Sequence, residues 1–127
     1  MTEVTMSALT MTRLVAAMAF VVLAMPVVAL EKIDDRGTFI DTLAGRDLTI
    51  RLYGLSLTVT EDGSIAGRAV GRNVTGDWTW QDGYFCRRMM WGSREIPYNC
   101  QLVEAKGDTM RFTTDRGTGD YADFRLR

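Results

Sequence analysis

The sequence contains no histidine, two cysteines and two prolines among its 127 residues. Without an imidazole, every mechanism that uses histidine as base, acid or metal ligand is excluded. Two thiols cannot build a four-thiolate zinc site, so no metal is expected. Charge of one sign is also missing: 15 Lys+Arg stand against 16 Asp+Glu, a net charge of −1. That balance gives no electrostatic reason to expect binding to nucleic acid or to an anionic membrane surface. The length allows one domain at most.

The one long apolar run lies near the start. Arg13 precedes Leu14 to Met25, twelve uncharged and mostly apolar residues, followed by Pro26-Val27-Val28-Ala29. A positive residue, a short apolar run and a small-residue Val-x-Ala site form the pattern of a secretory signal peptide. Residues 1–29 are therefore expected to be a signal peptide, and 30–127 a single domain in the periplasm or outside the cell. Contact with a membrane is expected only through that signal. An uncleaved anchor is the other reading of the run. Met11, just ahead of Thr12-Arg13, gives a more compact signal than Met1.

Cleavage after Ala29 would leave 98 residues. A domain that small buries a modest share of its surface, so a covalent staple helps it. In an exported chain Cys86 and Cys100 are expected to form that staple, closing a fifteen-residue loop. No C-x-x-C motif is present, which argues against a thiol oxidoreductase.

The mature segment opens with a helical pattern at Arg36–Ala44. Asp34 or Asp35 is placed to cap it, Phe39, Ile40 and Leu43 recur at helical spacing, and Gly45 suits a left-handed C-terminal cap. From Leu48 onward the period is two. Leu48, Ile50 and Leu52 alternate with polar residues, as do Leu55, Leu57 and Val59. Turns are expected at Glu61-Asp62-Gly63, Gln81-Asp82-Gly83, a loop at Gly92–Pro97, Lys106-Gly107-Asp108 and Asp115–Asp120. About eight short strands in an antiparallel meander follow from this spacing. The expected fold is mainly β, a small up-and-down barrel with one short N-terminal helix at its end. A β-sandwich is the alternative.

A hairpin tip centred on Gln81–Gly83 would put Trp78 opposite Cys86, and a tip near Ser93 would put Cys86 opposite Cys100. Trp78 would then lie over the disulfide. Trp78, Trp80, Phe112 and Phe124 are the expected core residues. Tyr84, Arg88, Trp91 and Tyr98 form a candidate ligand pocket. Arg88 shares strand parity with Cys86 and is read as facing the barrel interior, with Asp77 or Glu104 as possible partners. Arg forks suit carboxylates and phosphates. The plainer alternative is a set of surface arginines.

Three motifs carry less. Gly117-Thr118-Gly119-Asp120-Tyr121-Ala122 fits G-x-G-x-x-A, but only five residues follow, too few for the helix and strand a dinucleotide site needs. It reads as a hairpin turn. Asp115, Asp120 and Asp123 lack the ligand spacing of a calcium loop and read as turn residues. Met89-Met90 reads as core filling.

Thr75-Gly76-Asp77-Trp78-Thr79-Trp80, Asp82-Gly83-Tyr84-Phe85-Cys86-Arg87 and Tyr98-Asn99-Cys100-Gln101 together resemble a group of small exported bacterial β-rich proteins with a G-x-W-x-W, D-G-Y-F-C-R, Y-N-C-Q pattern. The resemblance continues through Asp115-Arg116-Gly117 and Ala122-Asp123-Phe124-Arg125. It implies export and a β-rich fold, and no defined activity. Some members carry the label dihydrodipicolinate reductase. Such an enzyme needs a nucleotide-binding strand–loop–helix unit and a substrate domain, and 98 β-rich residues have room for neither together.

The expectation is thus a monomeric, disulfide-stapled module that binds a small molecule or a protein, without catalytic residues or cofactor. The alternative is an inhibitor or assembly factor acting through surface loops such as Trp91–Tyr98. A core filled by Phe85, Phe112 and Phe124 would leave only surface binding. A mouth lined by Tyr84, Arg88 and Tyr98 would favour a ligand.

Overall fold

The computed structural model of the chain describes residues 16–24 and 29–127. The signal-peptide reading falls largely on residues outside these, including Arg13 and Pro26 to Val28. Residues 16–24 are exposed and carry no regular secondary structure. Among the described residues no helix is long and apolar enough to cross a membrane.

The chain forms β1 (Glu31–Lys32), α1 (Arg36–Leu43), β2 (Leu48–Ile50), β3 (Leu55–Val59), β4 (Ser64–Ala69), β5 (Arg72–Gln81), β6 (Tyr84–Trp91), β7 (Arg94–Lys106), β8 (Thr109–Thr113) and β9 (Tyr121–Leu126). From β2 to β9 each strand pairs antiparallel with the next, and β2 pairs with β9. The result is a closed eight-stranded up-and-down barrel, in which closure removes the exposed sheet edges. β1 adds to β7 beyond the start of β6. All these pairings are antiparallel, so the Gly117–Ala122 segment leads out of a turn into β9 rather than into a nucleotide-binding helix.

α1 forms as its sequence suggests. Asp35 is the N-cap, its carboxylate accepting the Thr38 N–H at 2.8 Å. The left-handed stop begins at Ala44, with φ of +49°, and continues through the expected Gly45, with φ of +70°. Phe39 and Leu43, one turn apart, are buried. Phe39 has no exposed surface and lies 5.2–5.3 Å from the ring centres of Trp78, Trp80 and Phe85. The helix thus closes one end of the barrel.

Three expectations need correction. Leu52 does not continue the strand of Leu48 and Ile50. It sits in a 3-10 turn, Arg51–Tyr53, and is 84% exposed. The segment 92–97 is not a loop. A tight turn at Gly92 leads straight into β7, and Pro97 lies within the strand. Between Arg87/Asn99 and Met89/Ile96 the register shifts, with Pro97 and Tyr98 the two residues on the β7 side. A bulge suits proline, which has no N–H to give to a ladder. Lastly, Trp78 lies opposite Arg87, and Cys86 opposite Thr79. The Asp82-Gly83 hairpin is a two-residue turn, both residues with positive φ, not the three-residue tip expected. A one-residue slip exchanges the two faces of a strand, so Trp78 does not cover the disulfide.

Candidate functional site

The interior of the barrel holds a cavity of about 160 Å³. Its wall is mostly apolar and includes Leu48, Leu57, Val59, Ile65, Phe85, Met89, Phe112, Ala122 and Phe124; Arg87 and Gln101 are its polar members. These residues come from strands β2, β3, β4, β6, β7, β8 and β9, with none from α1. Alternation explains the selection. Phe85, Arg87 and Met89 take the inward positions of β6, and period two turns Tyr84, Cys86 and Arg88 outward. Phe85, Phe112 and Phe124 pack ring against ring within the core, and the same three also border the cavity.

Arg87 is 7% exposed, the one charged side chain among the described residues that is buried. One terminal nitrogen, Nη1, donates to the Pro97 carbonyl at 2.6 Å. Its Nε has no hydrogen-bond partner. The three ion pairs among the described residues, Lys32–Asp34, Arg46–Asp108 and Arg111–Asp123, all lie elsewhere. Burial pushes the Arg87 guanidinium below its ordinary value, yet an arginine keeps its proton in proteins. An unpaired buried cation is costly by several kcal/mol even after relaxation.

The four residues read as a pocket are not brought together around this cavity. Arg88 is exposed on the outer face, with Asp77 as its cross-strand neighbour. Its parity with Cys86 holds, but that face looks outward, which corrects the inward reading. Tyr84 is also on the outer face, flanked by Lys32 and Arg116 at 5.8 and 5.4 Å from its ring centre. Tyr98 is half exposed, its hydroxyl 3.3 Å from the Cys100 sulfur. Trp91 belongs to the inner side at the barrel end away from α1. Its indole N–H donates to the Ala69 carbonyl at 2.7 Å, and Arg72 stacks on its ring at 4.6 Å.

Cys86 and Cys100 are bonded to each other and directly opposite across β6 and β7. Beside Cys100 on the surface, Tyr98, Asn99, Asp115 and Arg116 line a shallow depression. Asn99 holds the left-handed residue Asp115 by donating to its carboxylate at 2.8 Å and accepting its N–H at 3.0 Å. Asp123 pairs with Arg111 through two hydrogen bonds of 2.7 and 3.0 Å. Both aspartates thus act in turn and sheet structure.

Of the expected core, Trp78 and Phe112 are buried, and Trp80 and Phe124 are half-buried against them. Sequence reasoning missed Arg87 and Gln101 as cavity residues. The signal was present in Asp82-Gly83, the dipeptide preferred in two-residue hairpins. Taken as such, it puts Phe85, Arg87 and Met89 on the same side as Trp78 and Trp80.

The arrangement is that of a small closed antiparallel barrel, plugged at one end by a helix, with a largely apolar, half-open cavity among its inward-facing side chains. No family model, curated protein or solved structure matches the chain.

Proposed function

We propose that this chain is an exported small-molecule-binding barrel that holds a compact ligand with an apolar body in its interior and performs no catalysis on it. The observation that carries the reading is the cavity of about 160 Å³ behind a continuous ring of strands. An engineered apolar cavity of about 150 Å³ accepts benzene, so a space of this size suits a compact ligand. The Cys86–Cys100 bond supports export, because such bonds persist in oxidising compartments. The apolar run after Arg13 supports the same route.

The test is an NMR titration of the disulfide-bonded protein with benzene. Saturable shifts at the methyl groups of Leu57, Ile65 and Met89, with none at Val70 on the surface, are expected. Unshifted lining methyls up to the solubility of benzene would refute the reading.

A further inference from the structure

The cavity has a polar feature that an apolar ligand alone leaves unexplained. Arg87 is the buried charge of the barrel, it lines the cavity, and its Nε is unpartnered. Gln101, the cross-strand partner of Phe85, adds an amide to the same lining. The opposing walls carry aliphatic and aromatic side chains, and no carboxylate lies within ion-pair distance of Arg87 among the described residues.

We infer that the ligand is a small amphipathic anion, whose carboxylate or similar oxyanion sits on Arg87 while its apolar body fills the space toward Leu57, Ile65 and Phe124. This rests on the cavity reading above and specifies its ligand class. Three arguments support it. A guanidinium presents a fork of donors that matches a planar oxyanion. Nη1 is already held by the bulged Pro97 carbonyl, which fixes the group in place, while Nε keeps a free donor. An anion would also replace the missing counter-charge, making a costly buried group a favourable one. The volume limits the body to about six to eight non-hydrogen atoms, by comparison with the benzene-sized cavity. Long acyl chains are thereby excluded from full enclosure.

The experiment is isothermal titration calorimetry of the disulfide-bonded protein with four probes: hexanoate, hexanol, acetate and chloride. Hexanoate is expected to bind at least about tenfold more tightly than hexanol, the worth of a charge-assisted hydrogen bond in a buried site. It is also expected to bind more tightly than acetate or chloride, which lack the apolar body. In Arg87→Met the preference for hexanoate over hexanol should vanish while hexanol still binds. That variant replaces a buried cation with an apolar side chain, a change that buried sites tolerate well. If it fails to fold, the wild-type ranking of the four probes still decides the matter. Acetate or chloride matching hexanoate would overturn the inference in favour of a simple anion site. Hexanol binding without hexanoate would overturn it and leave the cavity reading standing. Binding by none of the four would overturn both.

Discussion

Cys86 and Arg87 are adjacent in sequence and serve opposite faces of β6. Cys86 bonds to Cys100 on the outer side, and Arg87 lines the interior cavity. The staple that stabilises the barrel is thus separated from the cavity by the thickness of one sheet.

Removing the staple tests the first half of that statement. Cys86→Ala with Cys100→Ala frees a loop whose ends are 14 positions apart, and should cost about 3 kcal/mol. For a domain of this size the loss corresponds to a fall in Tm of roughly 12–24 °C. A thermal melt without reductant checks it, and an unchanged Tm would contradict it.

Trp78→Ala should cost about 3–5 kcal/mol, in the range of large aromatic deletions from a core. Trp78 is 3% exposed, packs on Phe39 and Phe85, and donates its indole N–H to the Thr60 carbonyl at 2.9 Å. The cause is therefore the helix plug and not a contact with the disulfide. Urea unfolding of the variant measures it.

Val70 has φ of +50° in the turn before Gly71, and its side chain is mostly exposed. A β-branched residue is poorly suited to that backbone, whereas asparagine adopts it readily. Val70→Asn is expected to raise stability by about 0.5–1 kcal/mol, seen as a higher urea midpoint at unchanged slope.

Stability should fall as the solution is acidified. The Arg111 guanidinium beside Asp123 holds its carboxyl below the ordinary 3.8. Hydrogen bonds from Thr38 do the same for Asp35, and hydrogen bonds from Thr60 and Ser64 for Asp62. A carboxylate lowered in the folded state contributes stability above its unfolded value, and that contribution is lost as pH drops through the folded value. The decline should begin near that ordinary value and continue below it. The Arg111–Asp123 pair is partly exposed, so solvent screening keeps its share small. Asp123→Asn should flatten the curve between neutral and strongly acidic pH, as followed by urea midpoints.

The barrel was largely legible because its signals are local. Period-two runs and the turns between them place all eight ring strands, though not all of their bounds, and Asp35 with Phe39 and Leu43 announces α1. Other features depend on non-local geometry. Closure pairs Leu48 with Leu126, a choice no local pattern makes. Leu52 completes an alternation on paper, but Gly54, with φ of +54°, ends a 3-10 turn that carries it outward. Pro97 reads as loop, yet a bulge absorbs its missing donor. The site suffered most from a single uncertain residue: lengthening the hairpin tip by one moved Arg88 inward and Arg87 outward. On that longer tip Arg87 falls on the outer face, and only the ladder between β5 and β6 reveals it as the buried cation.

A crystal structure of the disulfide-bonded protein grown with hexanoate tests the central claim most directly. The account predicts the acyl chain inside the barrel, with its carboxylate in hydrogen-bond contact with the Arg87 guanidinium. An interior filled by protein side chains, or Arg87 turned to the outer face while hexanoate lies elsewhere, would contradict it.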